Sequence, residues 1–114
     1  MVTPEKYIPE RGDIVWTNFN PASGHEQMGK RPAIILSPFS FNKKIRLAMV
    51  APITSRVRGH GFEVPVKGKK IQGVVLCQQV KMIDFSARGV QLVEKAPASV
   101  IGDALARVRA IISD

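Results

Sequence analysis

Short apolar runs separated by turn-forming clusters fill most of this chain, and helical spacing takes over only near its end. Asp13-Ile14-Val15-Trp16-Thr17-Asn18-Phe19 is rich in β-branched and aromatic residues, which predicts a strand. Asn20-Pro21-Ala22-Ser23-Gly24 is a turn cluster that opens a long loop. Ala33 to Leu36 is a brief apolar run closed by Ser37-Pro38, and Phe41-Asn42-Lys43-Lys44 is expected to be a connection. The run Arg46 to Ala51, ending at Pro52, is continuously apolar after its first residue and predicts a strand buried on both faces. Phe62-Glu63-Val64-Pro65-Val66 alternates at its start, and Pro65 restricts it to a sheet edge. Gly73 to Cys77 is another buried strand, continued past a bend by Gln79 to Phe85, and Gly89 to Val93 is a weaker strand.

From Pro97 the period changes. Val100, Ile101, Ala104, Leu105, Val108, Ile111 and Ile112 recur at three- and four-residue steps, which predicts a final helix over 97–112 packed on the sheet. Proline suits the first turn of such a helix because its missing N–H would be unpaired there. Many short strands and one late helix predict a mainly β, α+β molecule: a small, strongly bent antiparallel sheet or barrel capped by a helix. The chain of 114 residues suits one domain spanning 1–114, with residues 1–10, which carry Pro4 and Pro9, as a loosely held arm.

Charge sharpens this picture. Seventeen Lys and Arg against nine Asp and Glu give a net charge of +8, which favours a polyanionic partner. The cations fall mostly in expected loops (Lys43, Lys44 and Arg46; Arg56 and Arg58; Lys67, Lys69 and Lys70) and form no stripe along one helix, so a membrane-surface helix is disfavoured. No apolar run approaches the ~20 residues of a membrane helix, and Met1 to Lys6 lacks the pattern of a signal peptide; a cytoplasmic location is expected. Cys77 is the single cysteine and sits in an apolar run, as a buried inert thiol does.

Metal chemistry is disfavoured by the same inventory. His25 and His60 belong to no ligand-spaced pair, and Asp13, Asp84 and Asp103 are scattered, so neither a metal nor another cofactor is expected. There is no phosphate-cradling Gly-x-x-x-x-Gly-Lys motif and no Gly-x-Ser-x-Gly elbow. What remains is acid–base and electrostatic chemistry on a phosphate. In RNA the ribose 2′-hydroxyl is a built-in nucleophile, and an enzyme must accept its proton and stabilise charge on phosphorus. Glu26 can be the base, Arg31 the cation with a planar fork for two phosphate oxygens, and Thr54 a neutral donor. Each has a plainer alternative: Glu26 and Arg31 can pair with each other, and Thr54 can satisfy a backbone group at a strand end.

Arg11-Gly12-Asp13-Ile14-Val15-Trp16, Phe19-Asn20-Pro21, Gly24-His25-Glu26-Gln27 and Arg31-Pro32-Ala33, taken in order, resemble the N-terminal half of the MazF/PemK family of toxin endoribonucleases. Ala51-Pro52-Ile53-Thr54 resembles that family's second signature, and Gly73-Val74-Val75-Leu76 with Gln79-Val80-Lys81 its third. The resemblance implies an SH3-like barrel of the CcdB/PemK type with a C-terminal helix, working as a homodimer. It also implies metal-independent cleavage of single-stranded RNA at short sequences, through 2′,3′-cyclic phosphate chemistry. An acidic antitoxin of the MazE/PemI kind, its flexible tail covering the RNA groove, is the implied partner. By resemblance the catalytic set is Arg31, Thr54 and Glu26. The RNA-binding set is Phe19, His25, Gln27, Lys30, Ser55, Arg56, Arg58, Gln79 and Lys81. His25 stands where serine is common in the family, either as a second titratable group or as a freely varying loop position. Trp16 is expected in the core or a dimer interface, with stacking on a base as its functional alternative. The competing functions are a non-enzymatic CcdB-like toxin that inhibits a protein target such as DNA gyrase, and an RNA-binding domain without catalysis.

Overall fold

Two hydrophobic cores lie on opposite faces of one bent sheet, and strand alternation explains both. The computed structural model describes residues 7–18 and 30–113. Within them, β1 (Asp13–Asn18), β2 (Lys30–Ile35) and β3 (Ala48–Thr54) are followed by β4 (Glu63–Lys67), β5 (Gln72–Leu76), β6 (Lys81–Ile83) and β7 (Gln91–Lys95). Ile14 of β1 pairs with Ile34 of β2, which pairs with Ala51 of β3. All three point into the larger core, with Ile53, Val64, Val66 and Val75. Their neighbours Val15, Ala33, Ile35 and Val50 point the other way, into a smaller core closed by Ile83 and Phe85. A strand of continuous apolarity is therefore buried on both faces, as the run through Ala51 predicted.

The strand order β4-β5-β3-β2-β1-β7, with β6 also paired to β3, describes a curled half-barrel. All pairings are antiparallel. A register shift between Ile14 and Val15 against β7 adds local twist. Strand β4 lies at one edge, where Pro65 belongs.

Pro52 does not end β3, contrary to expectation. The Met49 carbonyl accepts from the Leu36 amide, so odd-numbered β3 residues turn their backbone groups toward β2. Pro52 turns the other way, between Val50, which pairs with β6, and Ile53–Thr54, which pair with β5. A missing N–H is tolerated in that gap, and the strand continues to Thr54.

The expected connection at Phe41 to Lys44 is instead part of a helix, α1 (Phe39–Ile45), ended by Arg46 in the left-handed region at φ 66°. Asn42 is fully buried and donates to the carbonyls of Pro9 (2.8 Å) and Ser37 (3.1 Å), while accepting from the Ser37 hydroxyl. Seven residues are too few to display helical periodicity, and a buried asparagine conceals the inward face. The predicted continuous segment Gln79 to Phe85 divides. A 3-10 turn covers Cys77–Gln79, β6 follows, and a one-turn helix α2 (Phe85–Arg88) is capped by the Asp84 side chain, which accepts from the Ala87 amide.

The final helix α3 (Ala98–Ile112) buries Val100, Ala104 and Val108, one turn apart, against β4 and the larger core. Pro97 caps it from outside, and Ile111 and Ile112 are exposed, so the buried stripe stops a turn early. Cys77 is fully buried and its thiol pKa is raised, chiefly by burial.

The N-terminal arm is anchored where it is described. Asp13, 1% exposed, accepts from the Tyr7 hydroxyl (2.5 Å) and the Glu10 amide, and pairs with Lys95 Nζ at 2.6 Å. The Asp13 and Glu10 carboxylates raise the Lys95 pKa, and burial followed by the Asp13 contact raises that of Tyr7. The loosely held arm therefore does not extend over residues 7–10; residues 1–6 lie outside the described residues.

A second carboxylate fixes the basic turn after β4. The Glu94 side chain accepts from the amides of Lys69, Lys70 and Ile71 at 2.8–2.9 Å. The Lys70 and Ile71 amides, foremost among these contacts, hold its pKa below the ordinary 4.5. A folded-state pKa below the unfolded one contributes stability that is present above pH ~4.5 and is lost as pH falls through the folded value. Glu94→Gln should accordingly lower the melting temperature near pH 7, with the gap to wild type closing as the pH drops below 4. Thermal scans of both proteins across pH 3–7 measure this, and a gap that widens on acidification would contradict it.

Candidate active site

One cleft of about 460 Å³ opens where the end of β3 meets the start of β2 and the 3-10 turn after β5. Arg31, Thr54, Ser55, Arg56, Arg58 and Gln79 line it, so these expected residues come together although they are scattered along the sequence. His60, Leu76 and Gln78 complete the lining. A second cleft of about 340 Å³ shares Arg31, Thr54 and Ser55 and adds Trp16, Lys70 and Gln72. Arg31 and Thr54 thus stand between two clefts, with cations on both sides.

Each central side chain is placed by the sheet. Arg31 pairs with Thr17 across β1 and β2, and its side chain is exposed. Thr54 is the last residue of β3, opposite Val74. Its Oγ1 accepts from the Arg56 amide at 3.1 Å, which turns the chain into the loop that carries Arg56 and Arg58. The backbone reading of Thr54 and the functional one are compatible: the amide engages a lone pair, and the hydroxyl hydrogen is still available to donate.

β5 passes very close to this strand end. A Cβ built on Gly73 would collide with the Thr54 carbonyl oxygen and lie 2.9 Å from its carbon. Only glycine leaves that room, and Gly73 also has a positive φ of 154°.

The loop between β3 and β4 is held by Glu63. Burial works against this carboxylate's charge, yet the amides of Gly59 and Arg58, aided by His60 and the Arg58 charge, outweigh it and hold the pKa below 4.5. The His60 ring accepts at Nδ1 from the Phe62 amide (3.2 Å), which leaves the Nε2 hydrogen to face Glu63 Oε2 at 3.5 Å.

Two expected RNA contacts lie elsewhere. Lys30 is exposed at the start of β2, and Lys81 lies on β6 opposite Val50; neither lines the cleft. Phe19, His25, Glu26 and Gln27 lie outside the described residues. His60 and Gln78 were not among the expected residues. His60 was legible only as part of an exposed loop, and Gln78 is aimed by the 3-10 turn, which interrupts what reads as one continued strand. Among the described residues, no three His, Cys, Asp or Glu side chains gather into a set that could hold a metal ion.

The family model of PemK-like, MazF-like toxins of type II toxin–antitoxin systems matches residues 10–112. The chain belongs to this toxin family. Its match to the endoribonuclease toxin MazF of Escherichia coli K12 is 44% identical over 84 residues, 74% of this chain and 76% of the relative. To the endoribonuclease toxin ChpB of the same organism it is 44% identical over 109 residues, 90% and 93% of the two chains. The crystal structure of MazE-MazF (Form-II) from Deinococcus radiodurans superposes with a TM-score of 0.82 at 31% identity, over 95% of this chain and 98% of that one. The MazF/PemK likeness drawn from the sequence motifs and the SH3-like barrel expected with it are both upheld. Among the described residues no helix is long and apolar enough to cross a membrane.

The contact at Gly73 yields a test within this toxin fold. Gly73→Ala should displace the end of β3 and with it Thr54, disturbing the cleft more than the core. Chemical-shift changes concentrated at residues 53–56 and 73–75, with a preserved β-sheet spectrum, are the expected result; a spectrum unchanged at Thr54 would show that β5 yields instead.

Proposed function

We propose that the protein is an endoribonuclease toxin that cuts single-stranded RNA at short sequences without a metal ion. The observation that supports this best is the convergence of Arg31 and Thr54 between two cation-bearing clefts. An extended polyanion can run through both clefts, with the bond to be cut beside Arg31.

In this mechanism the 2′-oxygen attacks the adjacent phosphorus, the P–O5′ bond breaks, and the products are a 2′,3′-cyclic phosphate and a 5′-hydroxyl. The 2′-proton passes to a base, and the departing 5′-oxygen takes up a proton. Arg31 stabilises the charge that builds on the phosphorane oxygens through two parallel N–H bonds, and Thr54 donates its hydroxyl hydrogen to one of them. Glu26 is the candidate base, with His25 the alternative. Arg56, Arg58 and Gln79 would bind the strand on one side, and Trp16 and Lys70 on the other. His25, Gln27, Phe19, Lys30 and Lys81 complete the proposed RNA surface.

We further propose that the toxin acts as a cytoplasmic homodimer, one domain per chain, and that an acidic antitoxin neutralises it. The similarity to the Deinococcus MazE-MazF structure supports such a pairing. A +8 surface suits an acidic, partly disordered tail laid in the same cleft. The affinity should fall as salt rises, and the bound toxin should stop cutting RNA. Binding measured between 50 and 500 mM salt, alongside cleavage of a fluorescent RNA, checks both; a complex that cuts at the free rate would rule out occlusion.

Single-turnover cleavage of one short RNA tests the catalytic assignment. Arg31→Ala should slow cleavage on the order of 100- to 1000-fold, as loss of one well-placed stabilising group does. Arg31→Lys should recover little, because a point charge lacks the fork. Thr54→Ala should lose less, and cleavage should persist in EDTA. A folded Arg31→Ala protein that cuts at the wild-type rate would refute the assignment. Wild-type protein that leaves naked RNA intact would favour a binding toxin of the gyrase-inhibiting kind.

A further inference from the structure

Glu63 is on the wrong side of its strand to be buried. Along β4, Val64 and Val66 enter the core, so Glu63, Pro65 and Lys67 share the opposite face. Pro65 and Lys67 are exposed there, yet the Glu63 side chain is only 3% exposed. What covers it is the loop between β3 and β4. Both carboxylate oxygens accept from the Arg58 amide (3.0 and 3.1 Å), and Oε1 accepts from the Gly59 amide at 2.8 Å. Gly59 has a φ of +85°, a conformation that lets consecutive amides converge on one anion. The Oε2 atom faces His60. From the other side, Arg107 Nε of α3 donates to the Gly61 carbonyl at 2.9 Å. A loop whose side chains are exposed is therefore fixed at its backbone from two elements.

We propose that Glu63 is a positioning residue of the cleft: its carboxylate holds the loop Ser55–Gly61 so that Arg56, Arg58 and His60 form a preset wall for the RNA strand. The inference rests on the RNA-cleaving reading above. A free loop with two arginines would have to be ordered at each binding event, and that ordering cost would weaken binding. With the backbone already held, the guanidinium groups need only choose rotamers. The proposal assigns Glu63 no proton transfer, since its oxygens are occupied by amides of its own chain.

Glu63→Gln tests this. It keeps the shape but removes the charge that both amides point at, and it puts an NH₂ in place of Oε2, donor against donor with the Arg58 amide and His60 Nε2. The kcat/KM for a short RNA should fall roughly 10- to 100-fold, as displacement of a binding wall by about an ångström does. The loss should lie mainly in KM, with kcat changed less, and Glu63→Asp should recover part of it. Amide hydrogen exchange provides a readout independent of RNA. The Arg58 and Gly59 amides should be protected in the wild type and exchange faster in Glu63→Gln, while Val75 in the core stays slow. Wild-type KM in the folded Gln variant would overturn the proposal, as would a fall confined to thermal stability, or Arg58 and Gly59 amides that already exchange freely in the wild type. If the wild type cuts no RNA, the RNA-cleaving reading fails by itself, and the exchange experiment still decides whether Glu63 holds the loop.

Discussion

The cleft depends on how closely β5 passes the end of β3. At Gly73 the two backbones approach so nearly that no side chain fits between them. This contact fixes where β3 stops running through the sheet and where Thr54 begins to face outward. Because Val75 and Ile53 are paired and buried in the same core, the contact cannot relax without disturbing packing. Thr54 is therefore held by a strand end tied to the packed core, although it sits at the surface. Arg31 gains similar support from β1 on one side of β2, and from the β3 pairing two residues further along. Functional groups on strand ends inherit the precision of the sheet, which a side chain on a free loop does not.

Burial on both faces of the central strands also explains where charge can go. With Ile14, Ile34 and Ala51 facing one core and Val15, Ala33 and Val50 the other, the middle of the sheet has no place for an unpaired ion. The cations go to strand ends, connections and helix surfaces, and two of those places border the same strand end. Arg56 and Arg58 lie on one side of Thr54, and Lys70 on the other. The basic character of the cleft is in this sense a by-product of a sheet that fills both faces with aliphatic side chains.

Much of this was legible from the residues. Continuous apolarity around Met49 to Ala51 announced a doubly buried strand, Pro65 announced an edge, and the recurrence of Val100, Ala104 and Val108 announced a helix on the core. The signatures around Arg31 and Pro52 to Thr54 marked two cleft residues that are far apart in sequence. What failed to show were features that local pattern does not encode. The helix at Phe39 is too short to display a period, and its inward residue is polar. Pro52 looked like a terminator because the change of neighbour that tolerates it is a property of the sheet. His60 and Gln78 reach the cleft only through a folded loop and a 3-10 turn, and neither carries a signal of its own. Residues 7–10 looked loose because their anchor, Asp13, lies beyond them and takes its ion-pair partner from β7.

The acidic residues complete the account of a +8 chain. Glu63 and Glu94 are both spent on backbone amides, and both hold a loop that carries basic side chains: Arg56 and Arg58 in one case, Lys67, Lys69 and Lys70 in the other. Neither carboxylate pairs primarily with the cation it brings near. An ion pair with Arg58 or Lys70 would cancel the charge that makes the surface attractive to a polyanion. An amide clamp fixes the same loop while leaving the guanidinium or ammonium group available. The amides themselves gain a full negative partner, which stabilises their orientation more than a neutral acceptor would. Few acids in a basic protein thus need not mean few electrostatic restraints. Here they are placed where one negative charge organises several backbone donors and, through them, the positive face that remains.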